Sequence, residues 1–534
     1  WRTRPLPTDE PWVATAPPQP DEIASTDELL VTATHLEQYR HPTRDAVPYL
    51  REVLTRDAGD TRAATALASW HLRRGEYDAA EVLLKTALSR ESRRNLNPRD
   101  GETLYLAGLV AERRGDLDTA ERRFARAAWN AAWTAPANLA RARLALRTGR
   151  DADARRLASA AGDIPEARRL IALALVRLGR RTEAEALARR LVDDAPLDAG
   201  NASLARALGL AASVTLSARP ADPRAELDIA CEFARAGGYI EALAATADGE
   251  PGAPETPSAF GNTAPLRHIL RAAWADAAGD AATADAERDA LARVSLALAF
   301  PAGLDVYDAL TRLAASDSAP SATRTVARAL RGMWLLDAGR DADALADLVA
   351  ATDAGLDDPV AWRNRALAIV RTGGSLDDAD GAFAAAIALR PDGRLLFERD
   401  LLGAIAGRSP AVRLALLEEH ADVLATRDDL ALAHVTLLLD TDRIDEAWRI
   451  LTTRIFRPFE GGEGRVIAAY DRAACLLARR LLDGGETDAA IALLEEGIVV
   501  PPHLGEGRHP AERPTERLVL LGDAHAAAGD RDAA

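Results

Sequence analysis

A glycine followed five residues later by an alanine recurs along this chain, at Gly75/Ala80, Gly115/Ala120, Gly179/Ala184, Gly339/Ala344, Gly374/Ala379, Gly485/Ala490 and Gly529/Ala534. Self-similarity at about 34 to 45 residues is the mark of stacked helix pairs. The glycine permits a tight turn between two helices, because it adopts backbone conformations that side chains resist. The alanine lets the second helix lie close against the first. Such an array predicts a binding surface and names no reaction.

Composition supports helices. Hydrophobic residues make up 48% of the 534 residues, but aromatic residues only 4%. Alanine and leucine therefore build the core, and both favour helix over strand. A chain this long exceeds one compact core, so several domains or an elongated array is expected. The net charge of −16 argues against nucleic acid and against anionic lipid as partners. Nearly every cation is arginine, Lys85 being the only lysine. Cys231 and Cys475 are too few and too far apart for a disulfide framework or a cysteine-rich zinc site, and read as buried apolar residues. No membrane span and no signal peptide are visible, so the expectation is a cytoplasmic protein without a membrane partner. The chain opens on Trp1 and holds one methionine, Met333, which points to missing sequence ahead of it.

Four segments follow from the pattern. Residues 1–26 carry Pro5, Pro7, Pro11, Pro17, Pro18 and Pro20 and read as an extended linker packed at the edge of the array. Ser25-Thr26-Asp27-Glu28 is the first helix-start signal. Residues 27–212 form a first helical-repeat array. Residues 213–320 are a degenerate helical section with a long loop near 247–265, rich in proline and glycine. Residues 321–534 form a second array, cut short early in its last repeat. Within it, Arg365 takes a position that the pattern gives to leucine, which predicts a shifted or strained helix.

The unit with Leu104, Gly108, Gly115, Ala120, Phe124 and Ala127 resembles the tetratricopeptide repeat. The fold class expected is therefore all-α, a tetratricopeptide-like solenoid with an irregular middle. The strings HLEQYRHPTR, NPRDGE, AWNAAW, APLD, PLRHIL, AWRN, RPFEGGEGRV and HLGEGR are similar, in matching order, to the repeat half of a family of large bacterial proteins. Members carry, ahead of the repeats, a β-rich domain of unknown function. The resemblance implies that this domain is mutarotase-like and carbohydrate-active. It also implies that the present chain serves that domain as a scaffold.

Four groups of residues are candidates for contact. RPFEGGEGRV places Glu460, Glu463 and Arg465 among three glycines, and HLGEGR repeats the pattern one repeat length later with His503, Glu506 and Arg508. Stacked repeats would bring these loops to one rim, as a polar pocket or a docking edge; an inter-repeat loop with an internal salt bridge is the plainer reading. The Gly-Lys-Ser/Thr of a phosphate loop is missing, which argues against nucleotide. Trp129 and Trp133 stand four apart, as on one helix face, where they would wedge helices apart, stack on sugar or anchor a partner. HLEQYRH offers Arg40 and His41 for a polar contact. Its two histidines, six apart, do not suit a zinc-protease helix, and the plainer reading is a helix packed through Leu36 and Tyr39. Among 82 acids no carboxylate pair stands out as a glycosidase site. No catalytic motif, metal or cofactor is expected. Two functions follow: a scaffold for protein–protein or interdomain contact, or the helical half of a carbohydrate-active enzyme lending rim loops to its site. A peptide-sensing regulator would need an effector domain that this chain lacks.

Overall fold

The computed structural model describes residues 15–39, 41, 43–210, 222–247, 261–509 and 512–530. These residues form 28 α-helices and three short 3-10 turns, with no strand beyond an isolated bridge at Gly261. The chain divides into two compact units, Trp1–Arg340 and Asp341–Ala534.

One helix pair shows how sequence makes the unit. Helix Glu102–Arg113 ends at Gly115, whose φ of +82° reverses the chain. Asp116 then starts Leu117–Ala127 by accepting the Thr119 amide, which satisfies one of the helix's unpaired donors. Ala120, Phe124 and Ala127 are fully buried on the facing side. Gly108 leaves room for Phe124, since a Cβ there would sit 2.5 Å from the ring. Burying such a ring stabilises by about 1.5–3 kcal/mol, and truncating it costs about 3–5 kcal/mol.

In unit 1, four such pairs run from Thr61 to Asp194: Thr61–Arg73 with Tyr77–Glu91, Glu102–Arg113 with Leu117–Ala127, Thr134–Arg147 with Asp151–Ala160, and Pro165–Arg177 with Arg181–Asp194. The first helices Thr61–Arg73 and Glu102–Arg113 touch each other directly, as do Thr134–Arg147 and Pro165–Arg177, and Arg147 pairs with Glu112 across the remaining step. The degenerate middle of the sequence is helical. It includes Pro223–Arg235, Ala264–Ala278 and Leu304–Ala314, followed by Ser321–Asp337. That last helix, assigned by sequence to the C-terminal array, packs in unit 1 against Leu304–Ala314. Most of the long loop lies outside the described residues.

Of the N-terminal segment, residues 1–14 lie outside the description. Residues 15–19 are irregular, and Pro20–Glu22 makes a single 3-10 turn. Tyr49 donates its hydroxyl to the Pro18 carbonyl at 2.8 Å. Arg56 donates to the carbonyls of Ile23 at 2.6 Å, Ala24 at 3.0 Å and Pro20 at 3.2 Å. Buried Ile23 completes the attachment.

In unit 2, the helix containing Arg365 runs unbroken from Pro359 to Arg371, so the expected distortion is absent. Arg365 reaches sideways, donating to Thr352 Oγ1 at 2.8 Å and Asp353 Oδ1 at 2.6 Å, with its guanidinium 5.1 Å from the Trp362 ring. A long side chain can keep its stem against apolar neighbours while its head finds partners, which is why no strain results. Leu430, Val435, Leu438, Leu451, Phe456 and Leu504 form part of the core beneath the loops described next.

Candidate functional site

The 457–466 loop follows helix Ile444–Thr453, and the 503–508 loop follows helix Thr487–Glu496. They adjoin. The Phe456 amide donates to the His503 carbonyl at 2.8 Å, and the Gly464 amide donates to Glu506 Oε2 at 2.8 Å. His503 Nε2 donates to the Leu451 carbonyl at 2.9 Å. Gly505 is required at the crossing: its φ is +82°, and a Cβ there would collide with the Phe456 carbonyl oxygen. Buried Leu504 anchors the second loop in the core.

The six charged or polar candidates of these loops divide by direction. Glu506, Arg508 and His503 turn inward and hold the loops. Arg508 Nη1 pairs with Asp471 Oδ2 at 2.8 Å, and the same carboxylate meets Arg517 Nε at 3.1 Å. Arg517 is fully buried, lies over the Tyr470 ring and donates to the carbonyls of Leu493 and Leu494, both at 3.2 Å. Two arginines thus share one aspartate. Arg508 is structural here and does not pair with the first loop.

Glu460, Glu463 and Arg465 are exposed, as is Arg457, and their side chains form no hydrogen bond or ion pair among the described residues. With Phe459, Val466, Leu504 and Glu506, the first two glutamates and Arg457 line a cleft of about 290 Å³. One Glu506 oxygen, Oε1, is buried without a hydrogen-bond partner.

The other candidates stand elsewhere. Trp129 and Trp133 do not share a helix face. The helix ends at Ala127, and Asn130 starts a 3-10 turn, Ala131–Trp133, by accepting the Ala132 amide. Trp129 is 77% exposed. Trp133 is the wedge, packed 5.0 Å from the Tyr105 ring and donating to Asp100 at 2.8 Å. Arg40 lies outside the described residues. His41 Nδ1 accepts the amides of Thr43 at 3.2 Å and Arg44 at 3.1 Å, which is a turn role. Leu36 is buried as expected, but Tyr39 is 74% exposed and rests on His35. The helix Thr26–Tyr39 packs through Leu29, Ala33 and Leu36, spaced at a helical period that leaves Tyr39 outside the stripe.

Sequence reading missed a row of arginines in unit 1. Arg73, Arg113, Arg147, Arg177 and Arg235 each stand two residues before a turn glycine. Helix ends favour cations, because the backbone dipoles leave negative charge there. Three of these arginines also meet distant parts of the unit. Arg177 donates to the Gly237 carbonyl at 2.8 Å. Arg113 Nη1 contacts Asp305 at 2.8 Å and Asp308 at 2.9 Å. Arg235 Nε takes the second Asp305 oxygen at 2.9 Å, and Tyr77 donates its hydroxyl to Asp308 at 2.7 Å. The signal that could have found them is arginine at a fixed distance from the repeat glycine.

No protein-family model matches the chain. Solved structures show distant likeness. The C-terminal part of a TPR repeat-containing protein from Cytophaga hutchinsonii is 13% identical, with 53% of this chain and 98% of that one covered, at a TM-score of 0.29. A Naa15/Naa10 complex bound to HypK-THB gives 13% identity, 88% and 74% coverage and a TM-score of 0.26. The APC/C hetero-tetramer Cut9–Hcn1 gives 14%, 96% and 96%, and 0.24. At these scores the likeness carries no argument about assembly or partners. The chain's own geometry shows an all-α fold of tetratricopeptide-like helix pairs.

Proposed function

We propose that this chain is the non-catalytic, helical-repeat scaffold of a cytoplasmic bacterial protein, and that the 457–466 and 503–508 loops are its docking rim. One observation carries this reading. The Gly464–Glu506 hydrogen bond fixes two loops so that the unpaired Arg457, Glu460 and Glu463 line a cleft together with Phe459, with exposed Arg465 starting the next helix. Elsewhere the chain's arginines are extensively ion-paired, so unpaired charges on a fixed rim stand out. Exposed charges add about 1 kcal/mol or less each. An aromatic anchor in a desolvated pocket supplies more, about 2 kcal/mol or above. Phe459 is that anchor.

The partner proposed is the β-rich, mutarotase-like domain of the same polypeptide, on the resemblance of the repeat strings. The test uses that domain, expressed separately and titrated into this chain by calorimetry. The combined variant Phe459→Ala/Arg465→Ala is expected to weaken binding more than tenfold with helicity unchanged. Arg508→Ala is expected to act through stability instead. Unchanged affinity for the combined variant contradicts the rim. A soluble sugar competing for the same cleft would favour the reading of a helical half lending loops to a carbohydrate-active site.

A further inference from the structure

Two segments of unit 1 concentrate cations in an acidic chain. Residues 92–101 and 122–133 hold Arg93, Arg94, Arg99, Arg122, Arg123 and Arg126 against a single acid, Asp100, while the whole chain carries a net charge of −16. Asp100 is already engaged, accepting the Glu102 amide at 3.0 Å and the Trp133 indole at 2.8 Å. None of these arginines forms an ion pair among the described residues. Arg122 donates to Thr119 Oγ1 at 2.7 Å and Arg126 to the Leu96 carbonyl. The guanidiniums of Arg93, Arg94, Arg99 and Arg123 form no hydrogen bond among the described residues. Arg123 is partly buried, and burial, then the like charges of Arg126 and Arg122, push its pKa below the ordinary value. An anion brought to this place would relieve that repulsion.

The two segments are stitched side by side. On the helix Leu117–Ala127, Arg126 follows Arg123 by three residues and Arg122 by four, so the three share one side. Arg126 reaches across to the Leu96 carbonyl, and Asn130 Nδ2 donates to the Arg99 carbonyl at 2.7 Å. These bonds set Leu96 beside the turn that carries Trp129. Leu96 is 76% exposed and Trp129 77%, so both apolar side chains project from the surface and line no groove. The packing role falls to Trp133, which leaves Trp129 unused by the fold.

We propose that the 92–101 loop and the adjoining 122–130 segment dock unit 1 on an anionic lipid surface, with the arginines on the headgroups and with Trp129 and Leu96 entering the interface. The guanidinium fork matches phosphate and carboxylate oxygens. Tryptophan rests readily at a membrane–water boundary, its ring among apolar chains and its N–H among headgroups. Projecting apolar tips need a receiving pocket on a protein partner, whereas a bilayer receives them without one. A nucleic-acid strand would be gripped by successive aromatic rings, and Trp129 stands alone as an exposed ring in these segments. The net charge of the chain does not forbid the contact. Exposed charges are screened beyond about 8 Å at physiological salt, so the cations nearest the lipid decide.

The test is cosedimentation of the full chain, at low ionic strength, with vesicles of equal parts phosphatidylserine and phosphatidylcholine and with vesicles of phosphatidylcholine alone. Wild type is expected to partition onto the anionic vesicles about tenfold or more above the neutral ones. Arg93→Gln/Arg94→Gln/Arg99→Gln should lose about tenfold or more of that partition, with helicity unchanged. Leu96→Ser/Trp129→Ala keeps every charge and should still lose about fivefold, which attraction between charges alone does not predict. The exposed set Arg190→Gln/Arg390→Gln/Arg449→Gln makes the same change in net charge elsewhere and should lose nothing. The proposal is overturned if wild type ignores the anionic vesicles, or if the control set loses as much as the patch variant. It is also overturned if Leu96→Ser/Trp129→Ala binds like wild type, or if polyuridylate binds the wild-type chain more tightly than the vesicles do.

Discussion

Arg340 donates its guanidinium to the backbone carbonyl of Arg74, 266 positions earlier, at 3.1 Å. Both residues flank a repeat glycine, Gly339 and Gly75, and Arg74 returns the bond to the other turn. Two turns of the same repeat pattern thus clasp each other. In an open solenoid each repeat contacts only its neighbours, and stability is a sum of local terms. The clasp adds a term that joins the early repeats of unit 1 to its last helix.

Loosening the clasp should therefore be felt at both ends. Arg340→Ala removes, among its contacts, the hydrogen bonds of a charged donor to the Arg74 carbonyl and the Tyr307 hydroxyl, each contributing about 1.5–3 kcal/mol at most. Amide exchange should rise together near Gly75 and near 304–312, while Thr134–Arg147 keeps its protection. Exchange that rises only next to residue 340 would show that the two turns do not stabilise each other.

Acid should weaken unit 1 in a defined window. Burial pushes the Asp305 carboxyl up, but the Arg113 and Arg235 guanidiniums outweigh it and hold its pKa below the ordinary 3.8. A depressed carboxylate contributes stability that is complete above the unfolded pKa and is lost as pH falls through the folded one. The melting temperature of wild type should exceed that of Asp305→Asn at pH 6, and the gap should narrow only below about pH 4. A gap that closes between pH 7 and 5 would contradict the assignment.

The two tryptophans should separate sharply. Trp129→Ala, at an exposed turn, should change stability by about 0.5 kcal/mol or less. Trp133→Ala removes a ring packed on Tyr105 and the bond to Asp100, and should cost about 2–4 kcal/mol. Urea unfolding of both variants distinguishes this from the shared helix face, on which the two costs would be similar.

Both thiols should be inert in the folded chain. Burial, with Asp305 next in importance, pushes the Cys231 thiol up to about 12. Burial likewise pushes Cys475 up to about 11. Thiolate, the reactive form, is scarce at such values. A disulfide reagent at pH 8 should react slowly with native protein and with both cysteines after unfolding. Fast labelling of either thiol in the native state would mean that its helix opens readily.

The helix pairs were legible because glycine and alanine at fixed spacing encode a turn and a close approach, each a local matter. The 457–466 and 503–508 loops were legible as neighbours for the same reason, since one repeat of spacing becomes proximity when repeats stack. Direction was not legible. Glu506 and Arg508 turn inward because Gly464 offers an amide and Asp471 a carboxylate, and neither partner is implied by the Gly-Glu-Gly-Arg string itself. Trp129 and Trp133 misled because Asn130 between them ends one helix and caps a new turn. Arg365 misled because a repeat pattern records the usual residue and not the reach of an unusual one. The meeting of Arg113 with Asp305 and Asp308 depends on how the unit folds back, which nearest-neighbour spacing does not encode.

The docking rim is tested most directly by amide exchange of the full chain, with and without the proposed β-rich partner domain, expressed separately. New protection is expected at 457–466 and 503–508, with other unit 2 loops unchanged. Binding that protects other surfaces while these loops exchange as before would contradict the account, and so would the absence of any protection.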